Sequence, residues 1–261
     1  MNMKNCRNII LAAAVLVAAS SCSDKVQIKG TIAGAPDTQV VVKQLNGGAL
    51  VALDTVKTDG KGAYSYSVEV LKGQPQFIYL YKGDTKVASL LLKKGDKVKV
   101  ASDTLGKYSV EGSVESELLR QVEEDFAAFL DKFTADAARG DNAAASRDYI
   151  DYYRGRVKFI MENAKSLTAI PVLYQKINDN FPVFSQATDA IMFRNVHDSL
   201  MTVYPESRYV SALAREAEKR FNAFDLSQRI QNAQESSYPD LYLPSVDGTK
   251  VRLSEVGSKV V

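Results

Sequence analysis

The chain has 261 residues, 46% of them apolar and 25% charged, with a formal net charge of +2. That length and balance suit one large domain or two small ones, each able to bury a core. With no basic excess and no run of lysine or arginine, nucleic-acid binding lacks electrostatic support, and no nucleic-acid partner is expected.

Residues 1–22 read as a targeting segment. Lys4 and Arg7 precede a short apolar run from Ile9 to Ala19, well under the roughly 20 residues a bilayer-spanning helix needs. Ala19-Ser20-Ser21-Cys22 resembles a bacterial lipobox, with Ala19 where leucine is common. The resemblance implies that Cys22 is acylated and becomes the first residue of the mature protein. The plainer alternative is a secretory signal cut near Ala19. Removing the segment leaves 31 basic and 31 acidic residues. Cys6 and Cys22 are the two cysteines, so the lipid-anchored chain is expected to carry no thiol. Thiol exchange needs a thiolate, so no catalytic residue is assigned, and no cofactor or metal site either.

From about Val26 to Val110 short alternating runs are separated by Gly/Asp turns. Val26–Ile28, Gln39–Leu45, Leu50–Lys57, Tyr64–Val70, Phe77–Tyr81, Val87–Leu92, Lys97–Val100 and Tyr108–Val110 read as strands. Asn46-Gly47-Gly48, Asp59-Gly60, Lys82-Gly83-Asp84 and Lys94-Gly95-Asp96 read as turns. The spacing predicts an antiparallel β-sandwich or partly open barrel over residues 23–111. Ile28-Lys-Gly30-Thr-Ile32, Leu53-Asp54-Thr55, Thr58-Asp59-Gly60 and Leu91-Leu92-Lys-Lys-Gly95-Asp96 resemble a small domain of unknown function. That domain commonly precedes a thioredoxin-like domain in exported lipoproteins of Gram-negative bacteria.

From Ser113 the period becomes helical, over a segment placed at 112–236. Ser113 reads as an N-cap with Glu115 and Glu117 in the first turn, and Leu118 to Phe133 carry an apolar stripe ending at Arg139-Gly140. Further helices are predicted over about 143–165, from Pro171 to near Asn180, over 189–203 and over 207–224. The polar stretch Ser227 to Ser237 reads as a linker.

Within this region few residues suggest chemistry. His197 is the single histidine and lies beside an apolar stripe, so it reads as structural or solvent-facing. Glu123-Glu124-Asp125 and the Asp148, Asp151 pair read as solvated helix faces rather than acid/base pairs. Gly47-Gly48 lacks the strand–loop–helix setting of a phosphate loop. Tyr64/Tyr66, Tyr79/Tyr81 and Tyr149/Tyr152/Tyr153 read as core or its rim, with a binding surface as the alternative. Arg147, Arg154 and Arg156 beside the tyrosines hint at an anionic or partner surface.

The final stretch, Pro239 to Val261, has two short alternating runs around Asp247-Gly248, a strong hairpin signal, and ends in Val260-Val261. Pro239-Asp240-Leu-Tyr-Leu243, Asp247-Gly248, Val251-Arg-Leu253-Ser254 and Gly257-Ser-Lys-Val-Val resemble the opening of the thioredoxin-like domain of TlpA-like thiol–disulfide oxidoreductases and thiol-specific antioxidant proteins. In that family the strand led by the Val-Val pair runs into a Cys-x-x-C, which no position here matches. Residues 237–261 are thus expected to be the truncated start of such a domain. The expected fold is α+β: an antiparallel sandwich, a helical segment, then the first β-hairpin of an incomplete thioredoxin-like domain. The expected protein is an envelope lipoprotein held to the membrane through Cys22, facing the periplasm or on the outer membrane, with an envelope protein as partner. The alternative is a non-catalytic binding or scaffold lipoprotein.

Overall fold

A computed structural model describes residues 24–235, 241–252 and 255. Eight strands come first: β1 (Lys25–Ile32), β2 (Gln39–Asn46), β3 (Ala49–Lys57), β4 (Ala63–Glu69), β5 (Gln76–Lys82), β6 (Thr85–Leu92), β7 (Lys97–Ser102) and β8 (Tyr108–Glu111). They form two four-stranded sheets, in the orders β4-β1-β7-β8 and β3-β2-β5-β6. The period of two along β1 sends Val26, Ile28 and Ile32 inward and Lys25, Gln27, Lys29 and Thr31 outward. Val26, Ile28, Val98 and Val100 of one sheet meet Val40, Val42, Ile78, Leu80 and Leu90 of the other in one buried cluster. The two sheets therefore make a sandwich, with no closed barrel.

One pairing departs from the expected antiparallel pattern: β1 and β7 run parallel, Ile28 beside Val98 and Gly30 beside Val100. A hairpin forces neighbours to be antiparallel. Strands separated by an excursion through the opposite sheet are under no such constraint.

The helices lie on the outer face of the second sheet. They are α1 (Val114–Ala138), α2 (Asn142–Glu162), α3 (Ala169–Leu173), α4 (Asp189–Met201) and α5 (Arg208–Glu235). Period-two alternation divides β5 between two cores. Ile78 and Leu80 enter the sandwich, while Phe77 joins Leu119, Val122, Leu173, Phe184, Phe193 and Leu213 under the helices. The architecture is thus sheet on sheet on helices, and β5 and β6 are covered on both faces.

The cap at Ser113 forms as expected, its Oγ accepting the Ser116 N–H at 3.3 Å. The same turn closes the edge of β6: Ser116 Oγ accepts from Leu91 N–H and donates to Leu91 O, both at 3.1 Å. A side chain thereby takes the place of a missing strand partner. β3, the opposite edge, has no such cover, and Leu50, Val51 and Leu53 stay 42, 45 and 41% exposed.

Two helical expectations are corrected. The helix expected from Pro171 to Asn180 ends at Leu173, and β9 (Lys176–Asn178) and β10 (Phe181–Pro182) make a small hairpin. Its turn holds because Asn178 Oδ1 accepts the Asn180 N–H at 3.0 Å, a local bond that competes with helix. The stretch from Ser227, expected as linker, continues α5 to Glu235. Its Gln, Arg, Ala and Glu residues are adequate helix formers, and Asp225 pairs with Arg229 one turn on at 2.8 Å. Low apolar content made this an exposed helix, not a linker.

At the far end β11 (Tyr242–Pro244) pairs with β12 (Lys250–Arg252) across Asp247-Gly248, the expected hairpin. Leu241, Tyr242 and Leu243 are each about half exposed, at 49, 59 and 55%. Residues 1–23, with Cys22, and Val260-Val261 lie outside the described residues.

Candidate functional site

The junction between the second sheet and the helices contains a cavity of about 440 Å³. Its floor is Phe77 and Tyr79, on the helix-facing side of β5. One wall comes from α3 and the residue that caps it, through Ile170, Pro171 and Tyr174, and the other from α5, through Tyr209, Ala212 and Leu213. Gly47 and Gly48 form part of its rim. Both have positive φ, 59° and 89°, as a two-residue hairpin turn of the primed type requires. The turn expected at Asn46-Gly47-Gly48 therefore forms, and the tertiary structure sets it beside residues of α3 and α5 that are remote from it in sequence.

Tyr209 holds the junction together. Its ring meets Phe77 edge-to-face, centroids 4.9 Å apart at 83°. Its hydroxyl accepts the Phe77 N–H at 3.1 Å and lies 3.2 Å from the Leu45 carbonyl, to which it donates. Burial raises its pKa, so it remains a neutral donor at physiological pH. Gln76 Oε1 collects the Gln44 amide at 2.8 Å and the Arg208 guanidinium. Arg208 is thus held by a neutral amide rather than a carboxylate. Arg215, also on the rim, has no ion pair among the described residues. An apolar chamber with two arginines that form no ion pair among the described residues suits a small ligand with an apolar body and an anionic group.

Most of the other residues singled out from sequence settle into structural roles. His197 is largely covered, its side chain 23% exposed, with Nδ1 2.9 Å from Asp198 Oδ1. Tyr149, Tyr152 and Tyr153 donate to Val183 O, Gln175 Oε1 and Asp189 Oδ1 at 2.9, 2.8 and 2.6 Å, so they brace α2 rather than line a surface. Arg156 turns inward over the Tyr152 and Phe159 rings and pairs with Asp125 at 2.9 Å. Arg147 and Arg154 remain outside. Asp148 is held by Lys132 at 2.5 Å, which lowers its carboxyl pKa, while Asp151 is exposed, so the two form no acid/base pair.

Glu123 is the residue that sequence reading missed. Expected on a solvated face, it points into the sheet: its carboxylate accepts from Lys86 Nζ at 2.7 Å, Ser89 Oγ at 2.8 Å and Tyr108 O–H at 3.2 Å. The available signal was its helical spacing from Leu119 and Val122, which puts it near the buried stripe. Among the described residues no three His, Cys, Asp or Glu side chains gather where they could hold a metal ion, and no helix is long and apolar enough to cross a membrane.

These features define an α+β protein in which a helical layer backs a β-sandwich. Residues 26–119 match the family model of a domain of unknown function, DUF4369, which takes in the eight strands of the sandwich except Lys25 of β1, and the start of α1. No curated protein matches the chain.

Proposed function

We propose that this chain is the membrane-anchored N-terminal part of an envelope thiol–disulfide oxidoreductase-like protein, acylated at Cys22. The supporting observation is the order of parts. An acylatable cysteine stands two residues before the described fold begins at Asp24, the DUF4369 match follows at once, and the Asp247-Gly248 hairpin comes last. That hairpin is where the thioredoxin-like resemblance begins. In this reading the sandwich and helices form a stalk that holds a redox domain near the membrane, and none of the residues on the chain performs the exchange. The test is the mass of the native protein from its host, with the coding sequence read past Val261. The expected result is a mature chain starting at an acylated Cys22 and a downstream Cys-x-x-C needed for disulfide reduction of insulin. Membrane retention should be lost in Cys22→Ser. A water-soluble mature chain cut near Ala19 would end the anchor reading, and a natural stop at Val261 would end the redox one.

The cavity at the sheet–helix junction favours a second reading, a binding lipoprotein for small apolar anions. The probe is anilinonaphthalene sulfonate, an apolar sulfonate. Its fluorescence should rise with the protein, and Arg208→Ala with Arg215→Ala should weaken binding about tenfold by removing charge-assisted contacts. Unchanged affinity in the double variant would remove the site from consideration.

A further inference from the structure

The outward face of the first sheet is rich in lysine. β1 and β7 run parallel in register and point Lys25, Lys29, Lys97 and Lys99 the same way, with Lys72 and Lys94 at the margin. These six lysines line one shallow depression of about 820 Å³. Lys29 and Lys99 stand side by side in the pairing register. Like charges directly opposite across a sheet are destabilising, so the fold gains nothing from this arrangement. Carboxylates nearby offset only part of it. Glu69 is opposite Lys25, Glu111 is opposite Lys99, Asp24 pairs with Lys94 at 2.5 Å, and Asp96 accepts the Lys93 N–H. Beyond residues 1–22 the chain has 31 basic and 31 acidic residues, so this lysine-rich face is a local excess of positive charge.

Its position is as informative as its charge. The Asp24 carbonyl accepts the Val70 N–H at 2.6 Å and its carboxylate meets Lys94, which fixes the start of β1 to the edge of the lysine face. Cys22 lies two residues before Asp24, a reach of at most about 7 Å in any conformation. A lipid on Cys22 would therefore hold the near edge of the face, with Lys25 and Lys94, within about one Debye length of the headgroups. Lys29 and Lys99, roughly 13 Å further along the strands, come to the same surface when the sheet lies along it.

We propose that the outer face of the first sheet docks on anionic phospholipid headgroups, so that the sandwich lies against the bilayer and its helical layer faces away. The inference rests on the Cys22 anchor reading. Attraction is worth about fivefold in binding per lysine near an anionic surface, so several lysines orient a domain that one acyl system already tethers.

The experiment places the full acylated protein in vesicles of phosphatidylcholine alone or with added phosphatidylglycerol. Lysines are acetylated with a membrane-impermeant reagent and each is read by mass spectrometry. Lys29, Lys97 and Lys99 should be labelled at least about fivefold less in the anionic vesicles, with Lys158 and Lys219 on the helices unchanged. Roughly 0.5 M salt, which shortens the Debye length to about 4 Å, should restore labelling. Equal labelling in the two vesicle types overturns the proposal. So does protection that appears only with soluble polyglutamate, which would assign the face to an acidic protein. Failure of the anchor is separate and shows as a mature mass without acyl groups. In that case the unacylated chain should still sediment with the anionic vesicles, and Lys29→Gln with Lys99→Gln should weaken that binding about 25-fold. Both side chains are exposed and the neutral exchange removes a like-charge pair, so folding is preserved.

Discussion

Gly112→Ala should lower the stability of the chain by about 3 kcal/mol or more, the sum of left-handed backbone strain and a steric clash. Gly112 joins the end of β8 to the Ser113 cap of α1, and has a φ of 81°. A Cβ there would stand 2.0 Å from the Lys97 carbonyl oxygen, an atom of the sheet backbone that cannot swing aside. Gly48 provides the control. Its φ is 89°, yet a Cβ there meets nothing within 4 Å, so Gly48→Ala should lose only about 1 kcal/mol. Urea unfolding of the two variants separates strain from close approach. Equal losses would show that the Lys97 contact does not govern the sheet-to-helix crossing.

Phe77→Ala should cost about 3–5 kcal/mol, the range for removing a buried aromatic side chain. Phe77 is 1% exposed, sits at the face where the sheet meets the helices, and packs edge-on against Tyr209. Its own N–H ends on the Tyr209 hydroxyl, so the two residues couple through backbone and ring together. The truncation would enlarge the cavity over β5 and loosen α5 from the strand. Phe77→Leu, which keeps most of the volume, should recover stability to within about 1.5 kcal/mol of the parent. A loss below about 1 kcal/mol for Phe77→Ala would mean that the helical layer does not depend on this contact.

The two residues also mark what could be read in advance. Gly112 stands in sequence as an ordinary turn glycine, and no local pattern shows that Lys97 would come within 2.0 Å of its missing side chain. Phe77 alternates with Ile78 in a short apolar run, which signals a strand but not that both of its faces are covered. The run Val87–Leu92 in β6, apolar except for Ser89, carried that signal more openly, since a strand buried on both sides loses its alternation. Glu123 was misplaced for the same reason. A carboxylate at the head of an acidic run on a helix looks solvated until Lys86 and Ser89 of β6 and Tyr108 of β8 are brought to it.

By itself the sequence determined what depends on neighbours a few residues apart: the eight short strands and their glycine turns, the Ser113 cap, the apolar stripe of α1 and the Asp247-Gly248 hairpin. These follow from hydrogen bonding and side-chain period, which act over one or two turns of chain. The tertiary structure alone decided the parallel seam between β1 and β7, the hairpin in place of a longer third helix, and the cavity at Tyr209. It also collected lysines from two distant strands onto one face. Such features depend on which segments meet after the chain collapses, and residues tens of positions apart share no local pattern that would announce the meeting.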